Sequence, residues 1–237
     1  MSRLFKELAH RNTPIGELSL RRRRELTLDM DVYEIKLGEE FLMSSLFTVS
    51  EVALADLGLA DLEGGKLDVV VGGLGLGYTA DAVLKHDKVD SLIVIDFLEA
   101  VIDWHKEKLL PLSSRLLADP RCRFLLGDFF RLATSEQGYD PLNPGRRFDA
   151  ILVDIDHSPK FLLAPENAAF YTQGGLTKLT AHLKPGGVFG LWSNDLPDEA
   201  FTEILKTSFA RAKSTAVTFH NPLQNKDFTQ TVYLART

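Results

Sequence analysis

The sequence predicts an α/β fold: an open, mostly parallel sheet covered by helices, closed by a terminal antiparallel β-hairpin and preceded by a small N-terminal β-element. From Lys66 onward, short apolar runs alternate with helical stretches, the rhythm of parallel strands joined by crossovers. The first run, Leu67-Asp68-Val69-Val70-Val71, opens directly into Gly72-Gly73-Leu74-Gly75-Leu76-Gly77. A glycine turn between strand and helix lets backbone approach a nucleotide that side chains would hold away, although a ligand-free packing turn has the same composition. The second run, Ser91-Leu92-Ile93-Val94-Ile95-Asp96, ends in a carboxylate nineteen positions after Gly77. At that separation an acid on the second strand meets a ribose diol.

Taken in order, residues 1 to about 30 read as polar and irregular, with Arg21 to Arg24 a solvated or interface segment because Glu25, Asp29 and Asp31 follow at once. Residues 32–37 and 40–44 read as two short strands about Gly38. A helix follows, capped by Thr48 or Ser50, with Val52, Ala53, Leu54, Leu57, Leu59 and Leu62 as its apolar face and Gly64-Gly65 as its stop. Strands are expected at 66–72, 91–96, 122–126, 148–154 and 187–193, with helices at 78–86, 98–110 and 167–183. Lys184-Pro185-Gly186-Gly187 turns the last helix into its strand, and a further helix lies near 197–209. Two β-rich runs, 214–220 and 228–235, flank a turn-like Asn221-Pro222-Leu223-Gln224-Asn225 and form the terminal hairpin. The stretch Glu136 to Arg147 reads as a surface excursion. The organisation is therefore an N-terminal segment, 1–62, with hairpin and helix, and a nucleoside-binding domain, 63–237.

At 237 residues and 45% hydrophobic, the chain can bury one sizeable core. A net charge of −6 argues against nucleic acid, whose binding needs clustered cations. The lone Cys122 allows no internal disulfide and no thiolate metal site, which fits a reducing compartment and a packing role. The six histidines show no metal-ligand spacing, so no metal is expected. No run approaches the ~18 apolar residues that span a bilayer, so a soluble, cytoplasmic protein without membrane contact is expected. A β-element with exposed edges makes a homo-oligomer, a dimer above all, the expected assembly.

In an open α/β sheet, ligands bind beyond the carboxyl ends of the strands. Four such tips carry glycines, acids or polar clusters: the glycine loop, Asp96, Gly127-Asp128, and Asp154-Ile155-Asp156-His157-Ser158-Pro159. Gly72, Gly73, Gly75, Gly77, Asp96, Gly127 and Asp128 are thus candidates for holding a nucleoside cofactor. Asp128 can accept from an exocyclic base amine, cap a helix from Phe129, or do both. Asp154 and Asp156 lie two apart, so in extended backbone they share a face, and paired carboxylates can orient and deprotonate an amine. His157 can serve as a base near neutral pH or be structural. Asp154, Asp156 and His157 are the catalytic candidates.

These residues resemble the spermidine synthases and their aminopropyltransferase relatives, built on the Rossmann-like class I S-adenosylmethionine methyltransferase fold. The resemblance covers about 40–235. It rests on Gly72-Gly73 leading through Tyr78-Thr79 into Ala82-Val83-Leu84-Lys85-His86, on Asp119-Pro120-Arg121, Gly127-Asp128, Val153-Asp154 and Phe170-Tyr171-Thr172, and on Leu183-Lys184-Pro185-Gly186-Gly187. It implies a seven-stranded sheet with its last strand antiparallel and an N-terminal β-element used for oligomerisation. It also implies that Asp96 holds the ribose hydroxyls, Asp128 meets the adenine amine and Asp154 lies nearest the reacting nucleophile. Three departures accompany it. Gly75 and Leu76 stand where the family's loop carries an Asp that grips the aminopropyl amine. His157 stands where a second Asp follows the catalytic one, with Asp156 displaced by one. Val49, in Phe47-Thr48-Val49-Ser50-Glu51, stands where a polyamine-facing Tyr is usual.

The expected function is a spermidine-synthase-like transferase that binds S-adenosylmethionine or its decarboxylated form and alkylates a small-molecule nucleophile, an amine in the first instance. The alternatives are a methyltransferase on the same scaffold and a nucleoside-binding or interaction module without catalysis. A nicotinamide dehydrogenase shares the loop and ribose acid, but the terminal hairpin and the missing second mononucleotide-binding half count against it.

Overall fold

A computed structural model describes residues 4–237 and contains two sheets. The first is an antiparallel meander of β1 (Phe5–Thr13), β2 (Gly16–Glu25), β3 (Met30–Leu37) and β4 (Glu40–Ser44). The last two are the hairpin expected about Gly38, but β1 and β2 occupy a stretch that reads as irregular. The arginine run conceals β2. Leu18 and Leu20 are fully buried, and the strand then continues through arginines that are consumed across the sheet. Arg21 faces Glu34 of β3 in register and donates to it from Nε at 2.7 Å, while Arg23 Nε reaches the other carboxylate oxygen at 2.9 Å. Arg24 pairs with Asp29 and Asp31. The run is thus the polar half of a strand, its stems covering apolar neighbours and its charges met by acids on the next turn and strand.

Helix α1 (Val49–Ala60) follows and packs on the second sheet. That sheet is built from β5 (Leu67–Gly72), α2 (Tyr78–Leu84), β6 (Val89–Asp96), α3 (Glu99–Lys106), α4 (Ser113–Ala118), β7 (Cys122–Leu126), α5 (Phe129–Ala133) and β8 (Phe148–Val153). A 3-10 turn (Pro165–Ala169), α6 (Gln173–Thr180), β9 (Leu183–Ser193), α7 (Glu199–Lys206), β10 (Arg211–Asn221) and β11 (Lys226–Arg236) complete it. Its strand order is β10-β11-β9-β8-β5-β6-β7, with β5 to β9 parallel and β11 antiparallel to both neighbours. The chain runs outward from β5 through β6 and β7, then resumes on the other side with β8. This reversal between β5 and β8 opens a crevice beyond their carboxyl ends.

The strands are apolar on both faces because both are covered. Val69 and Val71 of β5, Leu92 and Val94 of β6, and Ala150 and Leu152 of β8 join one core, shared with Leu18, Leu20 and Ile35 of the small sheet. The intervening Val70, Ile93, Ile95, Ile151 and Val153 enter a second core, rich in aromatic rings, under α5 to α7.

Two expected helices are divided. The stretch 98–110 breaks where Lys108 takes a positive φ of 58° before Pro111, and α4 starts afresh. The stretch 167–183 becomes the 3-10 turn and α6, because extended Thr172 caps α6 by accepting from Gly175 N at 3.3 Å. The stretch 136–147 is not wholly superficial, since Tyr139 and Asp140 are buried. Among the described residues, no helix is long and apolar enough to cross a membrane.

Candidate active site

The crevice holds a cavity of about 680 Å3, walled by the glycine loop, the tips of β6 to β9, strand β4, the start of α1 and the terminal hairpin. Gly73, Gly75, Asp96, Asp128, Asp154 and His157 line it together. Gly72, Gly77, Gly127 and Asp156 lie near it without lining it.

The loop is stitched between the flanking strands. Gly73 N donates to Ile95 O at 2.8 Å, and Asp154 N donates to Gly72 O at 2.8 Å. Gly73 has φ of 93°, and a Cβ there would run into the carbonyl oxygen of Asp154, so only glycine fits this approach. Below the loop, buried His105 donates from Nε2 to Gly75 O at 2.8 Å, while its Nδ1 lies 3.3 Å from the Ser113 hydroxyl. Burial pushes this imidazole down to about 4, so it stays neutral, and the carbonyl contact fixes the tautomer. Above the loop, the Leu76 N–H points at the Met43 sulfur at 2.8 Å, and the Met43 methyl covers Gly75. A thioether from β4 therefore sits against the loop where the resemblance leads one to look for an acid.

Asp96 accepts from Leu98 N at 2.8 Å, from Leu74 N at 2.9 Å and, more weakly, from Gly75 N at 3.4 Å. Burial pushes its carboxyl up, and these three N–H groups work against that shift. Asp128 caps α5 by accepting from Arg131 N at 3.1 Å and also faces the cavity, so one residue serves both the cap and the cavity wall.

Asp154 follows β8 and accepts from Thr79 Oγ1, in the first turn of α2, at 2.7 Å. Burial raises its pKa to about 6, and the Thr79 bond opposes the rise. Facing it is Glu51, in the first turn of α1, which the sequence reading missed; burial and then the charge of Asp154 raise it to about 7. From sequence Glu51 is an ordinary first-turn acid, and the one pointer to it was its place two positions after Val49, which itself is exposed and does not line the cavity. Fully buried Ser50 joins Glu51 to a polar network. Its hydroxyl lies 2.7 Å from Glu51 Oε2 and 2.6 Å from Gln230 Oε1, and it accepts from Trp192 Nε1 at 2.8 Å. Gln230 Nε2 is committed to Asn194 at 2.9 Å. A hydroxyl has one hydrogen, so in this arrangement the network closes when Glu51 carries a proton.

The other two catalytic candidates part company. Asp156 is buried, accepting from Leu163 N at 2.7 Å, Tyr171 Oη at 2.8 Å and Asn167 Nδ2 at 3.0 Å, so it ties down the loop after β8. His157 is on the cavity with Nε2 3.0 Å from Glu40. Among the described residues, no group of three or more His, Cys, Asp or Glu is placed to hold a metal ion. Burial pushes the Cys122 thiol up to about 12, which leaves it unreactive.

Comparison with known proteins bears on this arrangement. Residues 47–216 match the family model described as "Spermine/spermidine synthase domain". A polyamine aminopropyltransferase from Ruegeria sp. (strain TM1040) is 28% identical over 162 residues, 65% of this chain and 53% of that relative, so the alignment spans about half the relative's length. The crystal structure of spermidine synthase from Thermotoga maritima superposes with a TM-score of 0.72 at 18% identity, covering 98% of this chain and 72% of that one. A spermidine synthase in complex with the transition-state analogue AdoDATO gives 0.71 at 17% identity, with the same coverage. At such identities the two structures speak for the fold.

Proposed function

Because the chain belongs to the spermine/spermidine synthase domain family, we propose that it is a transferase moving an alkyl group from an S-adenosyl sulfonium to an amine, with decarboxylated S-adenosylmethionine as the leading donor. One observation carries the reading: Asp154, desolvated and oriented by Thr79, opens into the same cavity as the glycine loop, Asp96 and Asp128. A cavity of this size suits an adenosyl compound and a small acceptor together.

In this proposal Asp96 takes the ribose hydroxyls in exchange for its long contact to Gly75, Asp128 takes the adenine amine, and the glycine backbone borders the donor's sulfur. An acceptor amine arrives protonated near neutral pH and must shed a proton before its lone pair can attack. Ionised Asp154 holds that ammonium, and Glu51, once it has lost its own proton as pH rises through about 7, accepts the proton the amine sheds. The nitrogen then attacks the carbon on sulfur, the C–S pair returns to sulfur, and a neutral thioether leaves as positive charge moves to nitrogen. Ionised Asp154 stabilises that charge, and alignment supplies most of the remainder. His105 and Thr79 act as positioning residues, one on the loop and one on the acid.

Methyl transfer from intact S-adenosylmethionine is the second reading. It is favoured by the thioether of Met43 and the apolar Leu76 at the loop, which offer no acid to grip an aminopropyl ammonium or to repel a carboxylate. Calorimetry with both donors, methylthioadenosine and NAD tests the proposal. Binding of NAD with no response to any adenosyl sulfur compound sinks it. If the donor binds, Asp154→Asn should reduce kcat by about a hundredfold or more with donor affinity nearly unchanged. Unchanged turnover removes Asp154 from its role. We also place the activity in the cytoplasm, as a dimer associating through the four-stranded sheet, where Phe5, Leu26 and Met30 are exposed; light scattering at the mass of one 26.4 kDa chain would remove the dimer.

A further inference from the structure

Beyond Asp154 and Glu51, the cavity wall changes from acid to aromatic carbon. Phe47, just before α1, stacks on Phe219 of β10 with ring centroids 5.4 Å apart, and Phe219 stacks on its cross-strand partner Phe228 at 6.5 Å. All three rings are half-buried and line the cavity. Two amides on the same wall, Gln230 and Asn221, are engaged within the protein. Gln230 serves Ser50 and Asn194, and Asn221 Oδ1 accepts from the N–H groups of Leu223 and Gln224.

A linear diamine needs an acid for each ammonium, because a second charge moved onto apolar carbon loses its hydration. The acids beyond the Asp154–Glu51 pair do not meet that need. Asp156 is sealed behind its donors, Glu40 is engaged by His157, and Glu166 is exposed on the 3-10 turn, where water weakens its attraction. Nor do the rings replace an acid. Phe219 is stacked with Phe47 and with Phe228, and the Lys226 ammonium already lies over the Phe228 ring, 5.8 Å from its centroid. A ring already stacked has less face to offer a cation, and an aromatic edge, the positive part of the quadrupole, suits another ring and repels a cation.

We infer that the acceptor is a monoamine with an aromatic or otherwise apolar body, its nitrogen at Asp154 and Glu51 and its body against Phe47, Phe219 and Phe228. This rests on the alkyl-transfer reading above and narrows its substrate class.

The test is calorimetry on the protein saturated with methylthioadenosine, titrated with phenethylamine and with putrescine. Phenethylamine should bind at least about tenfold more tightly, and Phe219→Ala or, where that variant fails to fold, Phe228→Leu should erase most of the preference. Putrescine binding as tightly as phenethylamine, or a preference that survives both substitutions, overturns the inference and leaves the alkyl-transfer reading standing. Failure of methylthioadenosine and of both S-adenosyl donors to bind overturns the two together.

Discussion

Asp154 and Glu51 are two acids in one desolvated space, and the cost of charging both falls on whichever ionises second. Activity that needs the ionised form should therefore rise as pH increases through about 6 to 7. Thr79→Val removes the bond that opposes this shift, so the acid limb of the pH–rate profile should move to higher pH, whereas a purely structural threonine would leave the limb in place. The same pair affects stability. Glu51 keeps its proton in the folded state to about pH 7 but loses it near 4.5 when unfolded, so the folded protein binds more protons across that window and stability falls as pH rises through it. Glu51→Gln should accordingly raise the melting temperature relative to the parent at pH 8 and leave it unchanged at pH 4. That Asp96, Asp128 and Asp154 meet at one cavity was legible because all three stand at strand tips, which such a sheet gathers along one edge. Glu51 was not, because its significance comes from a helix packing across the sheet onto a residue more than a hundred positions away.

Between strand and helix, the glycine loop is fixed by backbone rather than by side chains. Gly73→Ala meets both an unfavourable φ and the Asp154 carbonyl, so β5 and β8 would have to separate at their tips. Donor affinity should fall by tenfold or more in a calorimetric titration, with the far-ultraviolet circular dichroism retained. The elements of the parallel sheet were readable because strands buried on both faces are continuous apolar runs. Strands β1 and β2 were not, because four consecutive arginines hide a period-two pattern that only the partner Glu34 on β3 completes. The division of α3 from α4 depends on a left-handed lysine, a conformation with no compositional signature.

Across the whole molecule, the candidate site and a network of ion pairs occupy opposite ends of the same strands. At the amino ends, Lys184 bridges Asp68 and Asp149 at 2.8 Å each, and Asp140 accepts from Arg123 at 2.6 Å and Arg146 at 2.9 Å. Burial alone would raise the Asp140 carboxyl, but the two arginines and Asn143 outweigh it and bring it down to about 2. Its contribution is present above the unfolded value near 4 and is lost as pH falls through about 2. Asp140→Asn should lower stability by about 2–3 kcal/mol at pH 7 in urea unfolding, with the deficit vanishing toward pH 2. At the carboxyl ends the small sheet contributes through Met43, whose side chain rests on the glycine loop. That contact makes the loop and β4 parts of one equilibrium. A donor that prefers the covered loop must tighten the four-stranded sheet by the same factor that an ordered sheet tightens the donor, so a change at that sheet's outer edge would be transmitted to donor affinity without touching a single residue of the proposed donor site.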